Sequence, residues 1–266
     1  MLTSYLEFAI KTARQAGKLL VFLQPSFRQA KTKSTTLDLV TKADYLSEKL
    51  IIRNIKHKFP GHQIISEEQN SLDNSKFKIH NSYFTWVIDP LDGTTNYSHQ
   101  FPFYCVSIAL VKNNKILLGV VYNPNLDELF YACAGKGACF NHKRLKVSNT
   151  KSLNKSLLAT GFPYIIRESP GDNFRNFQNF CLNAQAIRRA GAAALDLAYL
   201  AAGRFDGFWE RELKPWDTAA GVIILTEAGG KATDFKNNKY NLFLHREILA
   251  SNKYIHQQMI NLLNDK

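Results

Sequence analysis

The chain has 266 residues, 45% of them hydrophobic and 21% charged, with a net charge of +12. That length and balance exclude a small disulfide-stapled domain and a disordered chain, and fit one large globular domain or two. The basic surplus suits anionic partners such as nucleic acid, anionic lipid or phosphorylated metabolites, but its pieces "KHK", "HKR" and "IRRA" are short and scattered, which reads as a solvated basic surface.

Taken in chain order, residues 3–23 place Leu6, Ile10, Ala13, Ala16 and Leu20 at helical spacing, and Pro25 stops that helix. Residues 28–38 are polar and predict a mobile loop. Thr41 with Asp44 three residues on resembles a capping box, opening a second helix that runs to about His57. "QIISEE" is a short strand ending in Glu67 and Glu68, and "YFTWVIDP" is another ending at Asp89. "FYCVSIALVKNNKILLGVVYNP" predicts two strands joined through Asn113-Asn114, and "ELFYACAGKGACFN" predicts a hairpin with glycines at its tip. "SLLATG" is a strand, residues 172–183 are helical, and residues 192–203 form a helix closed by Gly203. "FDGFWE" is a strand, and Pro215 starts the helix of "WDTAAGVIILTEAGG". "EILASN" and residues 252–263 end the chain as strand and helix. Strands and helices come in groups rather than in strict alternation, which predicts layers of helices and mixed sheets rather than a Rossmann fold or a barrel.

Cys105, Cys133, Cys139 and Cys181 form no CxxC pair and no zinc-like spacing, so free thiols in a reducing compartment are expected. Cys133 and Cys139 flank a predicted hairpin and can approach each other, without a functional disulfide being expected. No apolar run reaches the ~18 residues of a membrane span. Glu7 and Lys11 interrupt the N-terminal apolar pattern, against a signal peptide. The expected location is cytoplasmic, with no membrane partner.

Four carboxylates share a setting. Glu67, Asp89 and Asp92 lie at or just past the ends of apolar strands, and Asp217 lies in the first turn of a helix. Helix capping alone accounts for Asp217, and a solvated loop charge accounts for Glu67. The pair in "WVIDPLDGTTNY" is harder to account for, because a turn explains one aspartate and not two, and a buried carboxylate needs a partner. A divalent metal supplies one. Mg²⁺ prefers oxygen ligands, so Asp89, Asp92 and the intervening Leu91 carbonyl form a plausible set around the rigid Pro90. The backbone N–H groups of Gly93 and Thr94 suit a phosphate, and Thr94 adds a hydroxyl. Together they predict metal-assisted phosphate ester hydrolysis. No GxxxxGK[ST], HExxH or GxSxG motif is present.

These residues resemble the inositol monophosphatase family, the magnesium-dependent, lithium-sensitive phosphomonoesterases. "WVIDPLDGTTNY" at 86–97 and "WDTAAGVIILTEAGG" at 216–230 match its two signatures, "IISEE" its glutamate motif, and "KSTTLDLVTKAD" at 33–44 its metal loop and following helix. The likeness covers the whole chain, and residues 188–217 resemble most the bacterial SuhB-type branch. It implies a single domain over 1–266 with the layered αβαβα sugar-phosphatase fold, shared with fructose-1,6-bisphosphatase. The metal loop, Glu67 and "DPLDGT" fall in 1–150, and the substrate-binding and "WD" motifs in 151–266.

By the same resemblance, Glu67, Asp89, Leu91, Asp92 and Asp217 hold two or three Mg²⁺ ions, with Asp89 bridging two. Asp44 holds Thr94, and with Glu67 this pair orients the attacking water. Gly93 and Thr94 bind phosphate. Asp92, the Gly191-Ala192-Ala193 backbone, Glu210 and Asp217 meet the substrate hydroxyls. Lys33 is a possible loop contact near metal-bound waters, and Glu68 is a bystander. Ala192 departs from members with a hydroxyl residue there. The expected reaction is hydrolysis of myo-inositol 1-phosphate, or of a related polyol or sugar phosphate, with inhibition by Li⁺. Fructose 1,6-bisphosphate is the competing substrate. Asn96-Tyr97 disfavours adenosine 3',5'-bisphosphate and histidinol phosphate. SuhB-like relatives also imply a non-catalytic alternative, a transcription antitermination or ribosomal-RNA-processing partner. A homodimer is expected, with "FPFYCVSIALV" and "RRAGAAALDLAYL" apolar enough for an interface or for the core.

Overall fold

A computed structural model of the chain describes residues 2–24, 36–67, 84–162 and 173–264, with the backbone alone over 36–41. Lys33, Glu68, Pro25 and most of the predicted 28–38 loop lie outside these residues. Two sheets form. The first has the order β1 (Gln63–Ser66), β2 (Thr85–Asp92), β3 (Cys105–Lys112), β4 (Lys115–Asn123), β5 (Glu128–Cys133), β6 (Ala138–Phe140) and β7 (Lys143–Arg144). It is antiparallel except for the parallel β1–β2 pair. The second runs β11 (Lys231–Thr233), β12 (Glu247–Ser251), β10 (Gly207–Arg211), β8 (Leu157–Thr160) and β9 (Ala186–Arg188). In it, β10–β8 and β8–β9 are parallel.

The helices sort into three layers around these sheets. α1 (Leu2–Leu23) and α2 (Thr36–Lys58) cover the outer face of the first sheet. α5 (Ala193–Ala201) and α6 (Pro215–Glu227) lie between the sheets. α4 (Asn173–Asn183) and α7 (His256–Asn264) cover the outer face of the second. The period-two alternation of strands assigns the side chains. Trp86, Ile88, Ile108 and Leu110 join the α1/α2 core, whereas Val87, Ala109 and Val111 join the α5/α6 core. Leu158, Trp209 and Leu249 likewise face α4 and α7, while Ala159, Phe208 and Ala250 face inward. The order α/β/α/β/α is the predicted one.

Local chemistry explains the turns. Asn113 and Asn114 both take the left-handed conformation, φ 51° and 56°, as a two-residue hairpin turn requires. Pro215 occupies the first turn of α6. One expectation fails: α2 begins at Thr36, so Thr41 lies inside the helix and Thr41–Asp44 is no capping box. β3 and α5, considered as interface stretches, are almost wholly buried within this chain. The four cysteines are free. Among the described residues, no helix is long and apolar enough to cross a membrane.

Candidate active site

In a regular strand, residues three apart point to opposite faces. Asp89 and Asp92 escape this through the pairing of β2 with β3. Asp89 pairs with Ser107 and Asp92 with Cys105, so Pro90 and Leu91 together oppose Val106 alone. The result is a one-residue β-bulge. Proline suits it, because it has no ladder N–H to lose there. The bulge brings Asp92 back to the α5/α6 side, where Val87 and Cys105 also point. Ser47 of α2 donates to the Pro90 carbonyl at 2.9 Å, and the Leu91 side chain is anchored in the α1/α2 core.

Each aspartate of the site accepts a bond from a backbone N–H. Asp89 Oδ1 accepts from Leu91 N at 3.0 Å, Asp92 Oδ2 from Ala194 N at 2.7 Å, and Asp217 Oδ2 from Lys214 N at 2.6 Å. Asp217 therefore does cap α6, as the simpler sequence reading has it, while one oxygen stays available. Asp92 caps α5 from 102 residues away in sequence. It supplies the acceptor that Ala192, which makes no side-chain cap bond, cannot.

The electrostatics are those of crowded acids. Burial holds Asp89 well above the usual carboxylate range, and Glu67, Asp92, Asp217 and Asp44 push it further. Burial pushes Asp92 up to about 7, against the Ala194 N–H bond, with Glu67 adding to the rise. Asp217 also reaches about 7, through burial against the Lys214 N–H bond. Glu210 reaches about 8, raised by burial and then by Asp217 and Asp92, with Arg189 opposing. Among the described residues, no group of three or more His, Cys, Asp or Glu side chains is arranged to hold a metal ion by itself. The fit to a divalent cation is one of charge and donor type: mutually repelling buried carboxylates, all oxygen donors, suit an ion that keeps several waters.

Beside the carboxylates, Gly93 takes φ 92° and opens α3 (Thr94–Ser98). A side chain there would meet the Phe103 carbonyl at 3.0 Å and Ala192 Cβ at 3.2 Å. The Thr94 hydroxyl donates to the Leu91 carbonyl at 3.1 Å. Asn96 Nδ2 donates to the Phe103 carbonyl at 2.6 Å and the Ala190 carbonyl at 2.8 Å, tying this turn to the loop of Gly191, whose φ is 89°. On the far side, Glu210 of β10 packs directly on Gly161. Asn173 holds that corner, donating to the Gly161 carbonyl at 2.8 Å and accepting from Trp209 Nε1 at 2.9 Å.

One pocket gathers Glu67, Asp89, Leu91, Asp92, Gly93, Thr94, Gly191, Ala192, Ala193, Glu210 and Asp217. Asp44 stands apart from this lining, buried on α2 within electrostatic reach of Asp89 and Tyr97. Lys33 lies outside the described residues. The sequence reading missed Gly161, Phe162, Thr95, Leu213 and Arg189 in the lining. Arg189 had a visible signal, since it sits in "IRRA" two residues before Gly191, but it read as a surface charge. Asp196 was also missed. It is buried in the first turn of α5, its Oδ1 has no hydrogen-bond partner among the described residues, and burial with Glu210 and Asp92 nearby raises its pKa well above the carboxylate range.

A model of the inositol monophosphatase family matches residues 1–266. The inositol-1-monophosphatase of Synechocystis sp. is 42% identical over 262 residues, covering 98% of this chain and 89% of that protein. The Nus factor SuhB of Escherichia coli is 39% identical over 264 residues, covering 98% and 96%. The solved structure of the inositol monophosphatase from Anabaena (Nostoc) sp. superposes with a TM-score of 0.87 at 42% identity, covering 98% of this chain and 96% of that one.

Proposed function

The chain belongs to the inositol monophosphatase family, and from that premise we propose that it is a Mg²⁺-dependent phosphomonoesterase that hydrolyses myo-inositol 1-phosphate. The observation that carries the site assignment is the β2 bulge, which turns Asp89 and Asp92 toward Asp217 and the α5 N-terminus. In this reading Glu67, Asp89, Asp92, Asp217 and the Leu91 carbonyl hold two or three Mg²⁺ ions. Bound there, the ions supply charge neutralisation of the phosphate and a lowered pKa for the attacking water.

The chain's own groups do the rest. The Gly93 and Thr94 N–H groups hold the phosphate oxygens. Thr94, with Asp44 and Glu67, sets the direction of the water. Glu210, Asp217 and the 191–193 backbone receive the polyol hydroxyls and fix which phosphate is in line. Water's oxygen bonds to phosphorus as the ester P–O bond breaks, and the leaving alkoxide takes up the proton that the water gives away. No covalent phosphoenzyme forms. The loop contact of Lys33, the cytoplasmic location, the homodimer and inhibition by Li⁺ belong to the same reading.

A substrate panel tests it. Phosphate release is measured from myo-inositol 1-phosphate, fructose 1,6-bisphosphate, adenosine 3',5'-bisphosphate and histidinol phosphate, with and without Mg²⁺ and Li⁺. The expected result is Mg²⁺-dependent turnover highest on inositol 1-phosphate and suppressed by Li⁺. Preference for fructose 1,6-bisphosphate would overturn the substrate assignment. A second reading, a role in the transcription machinery, draws on the relatives named Nus factor SuhB. A growth phenotype of the deletion that an inactive variant fully rescues would favour it.

A further inference from the structure

The acids and bases of the outer helical layer are segregated. In α2, Asp44 and Glu48 are 3% and 4% exposed and turn inward. Lys42, Lys49, Arg53 and Lys56 are all exposed. At 100° per residue these four positions fall within about 60° of arc, a single stripe rising about 21 Å along the helix. Exposed Tyr45 borders it, with Lys49 Nζ 5.9 Å from the centre of its ring. Where α2 meets α1, a groove continues the charge: Lys11, Arg53, His57 and Lys58 line it with Gln15 and Asn54, and Glu7 is the single acid in its lining. Glu7 is the one exposed acid among the described side chains of the two helices. None of Lys11, Lys42, Lys49, Arg53, Lys56 or Lys58 has an ion pair among the described residues. Of the short basic pieces that read as scattered in sequence, "KHK" is the C-terminal end of this surface.

We propose that this α1/α2 face binds single-stranded nucleic acid through its phosphate backbone. Unpaired lysines and an arginine in a line match a chain of phosphates, amide and hydroxyl side chains in the groove suit phosphate oxygens, and Tyr45 offers a stacking surface beside the track. An anionic membrane is the weaker match, because Phe8, the large apolar side chain in the groove lining, is only partly exposed and the Lys58 ammonium lies 5.4 Å from the centre of its ring. The catalytic pocket takes no lining residue from this groove, so the proposal stands independently of the phosphatase reading.

The test is fluorescence anisotropy of a 20-nucleotide single-stranded RNA, and of the matching DNA, against the full chain across a salt series. Binding of either strand, with affinity falling steeply as salt rises, is the expected result. In Lys11→Glu/Arg53→Glu/Lys56→Glu, affinity falls more than about tenfold and the slope of log affinity against log salt shrinks by about 2. Phosphate release by that variant stays at the wild-type rate. Tyr45→Ala weakens binding about tenfold. Should the charge reversals disturb folding, the milder Arg53→Gln/Lys56→Gln carries the same prediction at smaller size. Absence of oligonucleotide binding at 50 mM salt overturns the proposal. So does unchanged binding in the charge variants, or capture by anionic phosphatidylserine vesicles with no oligonucleotide binding.

Discussion

Glu210 and Gly161 show how one missing side chain makes room for another. A β-carbon at 161 would collide with the Glu210 carboxyl group. Gly161→Ala is therefore expected to raise KM for inositol 1-phosphate about tenfold, while kcat on an aryl phosphate without hydroxyls stays near wild type. Steady-state kinetics on the two substrates check this, and equal losses on both would contradict it. The acids give a second prediction. Without a cation, Asp92 and Asp217 sit at about 7, so each is partly protonated near neutrality. A cation binds the carboxylate form, so Mg²⁺ must displace protons, and its affinity rises from pH 6 to 8. Isothermal titration calorimetry in buffers of different ionisation enthalpy reads the proton release directly. The acid residues were visible in sequence because burial next to "WVI" made their charges conspicuous. Arg189 and Asp196 were not visible, since nothing in "IRRA" or "ALDLA" distinguishes a pocket-facing side chain from a surface or capping one.

At the level of elements, the bulge of β2 was hidden although Pro90 was plain. A bulge is a property of register, and the register of β2 is set by β3, whose partner residues Ser107 and Cys105 carry no local mark. The capping of α5 by Asp92 was hidden for the same reason, because its acceptor and donor are 102 residues apart. Long, strongly patterned elements such as α1, β3, β4 and α6 were legible. β7, β9 and β11, of two or three residues each, are too short to show a period. The misplaced start of α2 follows from giving weight to a local capping pattern inside a longer helix. The Asn96 link between the α3 turn and the Gly191 loop yields a prediction at this scale. Asn96→Ala removes two hydrogen bonds, which costs about 2 kcal/mol of stability. It also lowers kcat/KM roughly ten- to a hundred-fold, because the phosphate and hydroxyl sides lose their register. Urea denaturation and kinetics measure the two effects, and wild-type kinetics would contradict the link.

Across the whole molecule, five layers bury three cores, and the last is closed by a histidine. His256 is 2% exposed and bridges Thr233 Oγ1 at 3.0 Å and Ser251 Oγ at 2.9 Å, joining α7 to β11 and β12. Burial pushes its pKa down from 6.5 to about 4, with Lys231 adding to the shift. Between those values the unfolded chain binds a proton that the folded one does not. Stability is therefore full above about 6.5 and declines as pH falls toward 4. His256→Gln should flatten that slope in urea midpoints measured across the window. The central claim is that Asp89 and Asp92, turned to one side by the bulge, form the heart of a metal-dependent phosphatase site. The most direct measurement is phosphate release from myo-inositol 1-phosphate by the wild type and by Asp89→Asn, each with Mg²⁺ and with a chelator. The account predicts turnover by the wild type with Mg²⁺ alone, and nearly none by Asp89→Asn under either condition. Substantial Mg²⁺-dependent turnover by Asp89→Asn, or wild-type turnover in the chelator, would contradict it.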